Sequence, residues 1–228
     1  MMRFNKVVFP VRRRGPAGAV GSQGPAAPLT AADETRLATV EELSNFRVTI
    51  VYVDGTNGDD SNDGSLSSPF LTLQAAISAT NPLHENIIRL LSDCELSEQA
   101  TIRVNSKIII QRDLSAPVGT KIRLTGSGRI TTSVTANVDV VGVDVELDND
   151  RSLFRSFVNG ILAVRIANVT VTKTSTSTAS IIDVFNGKFI FSVQTSDLSA
   201  VLGFIVSGFP AGSNPNDNLF ITTNITSA

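Results

Sequence analysis

Carboxylates are the first side chains to weigh for chemistry, because paired Asp and Glu can cleave glycosidic bonds. Asp139, Asp144, Glu146, Asp148 and Asp150 crowd one stretch of the chain. Asp144, Glu146 and Asp148 alternate with Val145 and Leu147, as a strand with one wet and one dry face does. That alternation accounts for them without catalysis, so no catalytic residue is assigned and the role of the three acids stays open. A second group, Asp59, Ser61, Asp63 and Gly64, matches the D-x-S-x-D-G start of a calcium loop. Position 12 of such a loop needs a bidentate Glu and here is Phe70, so an Asx-rich turn is the stronger reading. His84 is the single histidine and Cys94 the single cysteine. The first reads as a loop residue and the second as a buried structural thiol. Neither metal nor cofactor is expected. Asn168-Val169-Thr170 and Asn224-Ile225-Thr226 match glycosylation sequons but read as Thr-rich strands.

Composition narrows the options further. In 228 residues, 42% are hydrophobic, enough for a core, and only 18% are charged. One Cys rules out an internal disulfide framework and a Cys-rich zinc site. With no Trp and one Tyr, ring platforms for stacking sugars are scarce. No apolar run approaches the roughly 20 residues of a membrane span.

The net charge of −2 conceals an uneven distribution. Residues 1–14 carry Arg3, Lys6, Arg12, Arg13 and Arg14 with no acid, leaving 14 of the 19 bases to face all 21 acids. A basic arm on an acidic body reads as an anchoring segment, and the whole-chain charge gives no reason to expect nucleic acid. In residues 15–29, Gly15, Gly18, Gly21 and Gly24 keep a threefold period with Pro16 and Pro25 among them. That is the collagen pattern, in which only Gly fits the axis of three packed chains, although four triplets need a trimer already formed nearby, and an extended Gly/Pro linker with a fortuitous period is the alternative. Residues 30–47 read as a short helix with Thr30 and Asp33 at capping-box spacing. Its narrow stripe of Leu37, Val40, Leu43 and Phe46 must lie on the body or on copies of itself, so Leu37, Val40 and Leu43 are candidates for trimer packing.

From residue 48 to 228 strand formers dominate: VTIVYV (48–53), NIIRLL (86–91), ATIRV (100–104), KIIIQ (107–111) and KIRL (121–124). Later runs are VDVVGVDVEL (138–147), ILAVRIANVTVT (161–172), SIIDVF (180–185), KFIFSV (188–193), FIV (204–206) and NLFITTNIT (218–226). Similar short units at Val143–Val145, Val169–Val171 and Phe189–Phe191 recur after 26 and then 20 residues. Irregular repeats of this size with Asn and Gly corners predict a solenoid of coils.

The segment Tyr52 to Ser78 resembles the opening of right-handed parallel β-helix proteins of the pectin-lyase-like type. The matching positions are Tyr52-Val53, Gly58, Asp60, Asn62, Gly64, Pro69-Phe70, Thr72-Leu73 and Ala76-Ile77. The resemblance implies an all-β, short right-handed parallel β-helix with an N-terminal capping helix. Ser68 as N-cap and Pro69 at N1 would start that helix. Phe70, Leu73, Ala76 and Ile77 would then face the open end of the solenoid.

A basic arm, a collagen-like linker and a short capped β-helix together resemble bacteriophage tail-fibre, head-fibre and spike proteins. The resemblance implies a non-enzymatic, homotrimeric virion protein. Its arm would dock on a tail or capsid protein, and its body would touch a host surface glycan or receptor or an adjoining component. A capsid decoration or cement protein and a polysaccharide-degrading spike enzyme are the alternatives.

Overall fold

The computed structural model describes residues 48–102, 107–132, 134–157, 161–174, 177–184, 188–201, 206–207 and 219–224. The basic arm, the glycine triplets and the helix expected over 30–47 with Leu37, Val40 and Leu43 lie outside the described residues.

In chain order the elements begin with β1 (Val48–Val53), helix α1 (Leu73–Ser78), β2 (Glu85–Leu90), β3 (Cys94–Leu96) and β4 (Gln99–Ile102). They continue with β5 (Lys107–Arg112), β6 (Lys121–Leu124), β7 (Arg129–Thr132), β8 (Ala136–Val141), β9 (Asp144–Leu147) and β10 (Phe154–Ser156). The last are β11 (Ile161–Ala167), β12 (Val171–Lys173), β13 (Ile182–Asp183), β14 (Lys188–Gln194), β15 (Val206–Ser207) and β16 (Leu219–Asn224). They form three sheets in the orders β1-β2-β5-β8-β11-β14-β16, β4-β7-β10-β13-β15 and β3-β6-β9-β12. Every strand pair in these sheets is parallel, so the chain returns to each sheet once per coil and the fold is a short parallel β-solenoid.

Alternation turns the apolar side chains inward, where coil stacks on coil. Ile88, Ile110, Val140, Ile166 and Val193 occupy one register column of the large sheet, all buried. Cys94, Ile122, Val145 and Val171 form the matching column of the four-stranded sheet. Ala100, Ile130, Phe154 and Ile182 form that of the five-stranded sheet.

Corners divide two runs that read as single strands in the sequence. Left-handed backbone at Gly142 (φ 62°) separates β8 from β9, and at Asn168 (φ 55°) separates β11 from β12. Asparagine tolerates that region better than other side-chain-bearing residues. The expected 26-residue repeat is the β9–β12 register, Val145 opposite Val171. The 20-residue step fails, because Phe189–Phe191 belongs to β14 on a different sheet. The coil equivalent of Thr170 is Asp197, bridged to it in parallel.

Helix α1 touches β1, β3 and β4, the end strands of all three sheets, with Leu73, Ala76 and Ile77 buried. It starts later than expected. Thr72, not Ser68, is the N-cap, its Oγ1 accepting from Ala75 N at 3.2 Å. Ser68 and Pro69 stay outside the helix because Ser68 bridges back to Ser65 and Phe70 pairs with Val53 of the first coil. Phe70 N donates to Tyr52 O (2.9 Å) and its carbonyl accepts from Asp54 N (2.8 Å).

Asp60 fastens this entry. Its carboxylate accepts from Leu71 N (2.9 Å), Thr72 N (2.8 Å) and Thr72 Oγ1 (2.8 Å), while Asn62 Nδ2 donates to Pro69 O (2.9 Å). The turn Gly58–Gly64 is thereby a clasp on the cap. Asp60→Ala is expected to destabilise the protein by about 1–2 kcal/mol, and Asp60→Asn by less, since an amide oxygen still accepts from the two backbone N–H groups. Hydrogen exchange should show faster loss of protection over Leu73–Ser78 in Asp60→Ala than in the parent chain.

Candidate binding face on the seven-stranded sheet

Outward residues of the large sheet stack as strictly as inward ones. Lys107, Asn137, Ala163 and Ile190 form one column, and Ile109, Asp139, Arg165 and Ser192 the next. Ala163 carries only a methyl between Asn137 and Ile190, and the shortfall opens a shallow groove of about 220 Å³. Its charged groups are fixed by neighbours. Arg165 Nε lies 3.3 Å from Asp139 Oδ2 and its Nη1 donates to Gln194 Oε1 at 3.4 Å. Lys107 Nζ lies 2.9 Å from Glu85 Oε1. The groove therefore offers donors and acceptors above an apolar floor of Ala163 and Ile190, a composition suited to binding. Among the described residues Asp139 is the single carboxylate lining it, and it is held in an ion pair. Glycoside cleavage of the ordinary kind needs two carboxyl groups facing one bond.

The fold separates the acidic residues that the sequence groups together. Asp139 faces the groove on the seven-stranded sheet, whereas β9 carries Asp144 and Glu146 outward on the four-stranded sheet. Glu146 lies between Lys121 (2.8 Å) and Arg123 (2.7 Å) of the preceding coil. The Lys121 hydrogen bond and then that of Arg123 outweigh partial burial and hold its carboxyl below the usual range, the wrong direction for a general acid. Asp144 Oδ1 accepts from Thr170 N (2.9 Å) on the next coil. Asp150 Oδ1 accepts from Thr178 N (2.8 Å) and Oγ1 (2.9 Å). Asp148 lies exposed after β9. Asp139, Asp144, Glu146 and Asp150 tie coil to coil. Lys121 and Arg123 escape a local reading because they sit a full coil away in sequence.

Asp59, Ser61 and Asp63 form turns. Asp59 Oδ1 accepts from Ser61 N (2.8 Å) and Oγ (2.7 Å), and Asp63 Oδ1 from Ser65 N (2.9 Å). These hydrogen bonds hold both carboxyls below the usual range. Among the described residues no group of three or more His, Cys, Asp or Glu is arranged to hold a metal ion. His84 is anchored through Nδ1, 2.6 Å from Thr49 Oγ1. Cys94 is buried in β3, and burial, with the nearby Asp93 charge, pushes its thiol up to about 12. Among the described residues no helix is long and apolar enough to cross a membrane.

No family model, curated protein or solved structure matches this chain.

Proposed function

We propose that this chain is a non-enzymatic virion protein, a trimeric tail fibre, head fibre or spike of a bacteriophage. Its basic N-terminal arm anchors it on a tail or capsid protein, and its right-handed, pectin-lyase-like solenoid projects toward a host surface or an adjoining component. The observation that carries this reading is how the outward charges are used. Glu146 with Lys121 and Arg123, Glu85 with Lys107, and Asp139 with Arg165 all lock adjacent coils, while the groove at Ala163 presents binding chemistry. The glycine triplets and the arm support the trimeric, anchored form.

Filling the groove tests the binding face. Ala163→Arg is expected to lower binding to host surface glycan or receptor more than tenfold with the melting temperature unchanged, because Ala163 is only half-buried. Unaltered binding would remove the groove from the reading. Sedimentation of the intact chain should give a trimer, and a stable monomer overturns that part. Deleting residues 1–14 should release the protein from an otherwise intact particle. Loss of particle stability instead would identify a cement protein.

A further inference from the structure

The five-stranded sheet carries a charge that, among the described residues, forms no ion pair. All four residues of β7 are buried. Ile130 and Thr132 face the core, while Arg129 and Thr131, of opposite parity, are only 6% and 0% exposed. Thr131 Oγ1 is satisfied by Thr101 Oγ1 at 3.1 Å. Arg129 is not: its Nε is buried without a hydrogen-bond partner, and among the described residues no carboxylate forms an ion pair with it. Arg155 sits one coil on, its strand position paired with Thr131, and Arg151 lies in the turn just before β10. Burial and then repulsion from Arg151 and Arg155 weaken the hold of Arg129 on its proton, against a smaller pull from Asp183. Asp183 pairs with Arg155 at 3.4 Å, and Asp150, beside Arg151 and partly offsetting its charge, accepts from Thr178 N at 2.8 Å. A guanidinium sealed at Nε and flanked by two more is costly without a counter-anion.

We propose that Arg129, Arg151 and Arg155 form a binding site for a phosphate group. Guanidinium forks match phosphate oxygens in bidentate geometry. Three arginines against Asp183 and Asp150 leave a net positive charge, and a phosphate monoester, at about −1.5 to −2 at pH 7, neutralises it while offering three acceptor oxygens to the guanidinium forks. The group can arrive as free phosphate or as a phosphate ester on a surface polymer. The site lies on a different sheet from the groove at Ala163, so either can fail without the other.

Calorimetric titration of the full chain with inorganic phosphate, and separately with glucose 6-phosphate, tests it against chloride at matched ionic strength. Saturable binding is expected, weakened at least tenfold in Arg129→Gln and several-fold in Arg151→Gln, whose parent side chain is exposed and whose folding is therefore secure. Arg129→Gln should also melt no lower than the parent chain in phosphate-free buffer, since it removes an uncompensated buried charge. Glucose 6-phosphate binding with the same arginine dependence assigns a polymer-borne group, and phosphate binding alone assigns the free ion. Absence of binding, or binding unchanged in Arg151→Gln, overturns the proposal.

Discussion

Gly128→Ala is expected to be the most damaging glycine-to-alanine change among the described residues. Gly128 precedes β7 in the turn from β6, and a Cβ there would lie 1.6 Å from Leu96 O and 2.6 Å from Leu96 C. Both atoms are backbone of the preceding coil, and the same turn is tied down by Thr125 N to Leu96 O (3.1 Å) and Asn149 Nδ2 to Gly128 O (3.1 Å). Nothing flexible can yield, so two stacked coils must part. A loss of at least about 3 kcal/mol follows, which for a domain of this size lowers the melting temperature by about 6–12 °C. Gly142→Ala is the natural control. Nothing lies within 4 Å of its Cβ position, so only the left-handed backbone (φ 62°) resists, at about 1 kcal/mol. Melting curves in which the two variants fall equally would show that the coils are not stacked this tightly.

Phe154→Ala should act just as strongly through the opposite fault. Phe154 is fully buried and stacks between Ile130 and Ile182 in three successive coils. Removing its ring leaves a cavity that rigid neighbouring coils close poorly, at about 3–5 kcal/mol, whereas Phe154→Leu should cost about a third of that. Denaturant unfolding of the two variants measures the difference. Equal, small losses would mean that the five-stranded sheet packs loosely at its centre.

The sequence exposes strands wherever alternation runs long enough. VTIVYV is β1 and KIRL is β6 to the residue, and the 26-residue repeat is a true coil register. What escapes notice is short or polar. β3 and β10 have three residues each, and β7 reads Arg-Ile-Thr-Thr, too little period to register. Ser68-Pro69 carries a good capping signature, yet the helix starts later because Phe70 is claimed by Tyr52 and Asp54 of the first coil, a non-local demand. The candidate sites are hidden for the same reason. Asp139 meets Arg165 across 26 positions, and Glu146 meets Lys121 across 25. Turn lengths, which hydrophobic period does not encode, set those offsets. Asp60 and Asn62 were legible as motif positions, but their task as a clasp on residues 69–72 emerges only when the turn folds back.

The spacing of the ladders also governs how the chain finds its structure. Strand partners lie between 22 residues apart, as Glu85 and Lys107 do, and 37 apart, as Val48 and Glu85 do across the cap. Such separations are about a tenth to a sixth of the chain length, a ladder spacing mostly below that of sandwiches. Two adjacent coils can therefore serve as a nucleus onto which each further turn closes a loop of modest entropy. A chain leaving the ribosome can lay each coil on the one just finished, with its capped end already sealed and a single growing edge exposed at any moment.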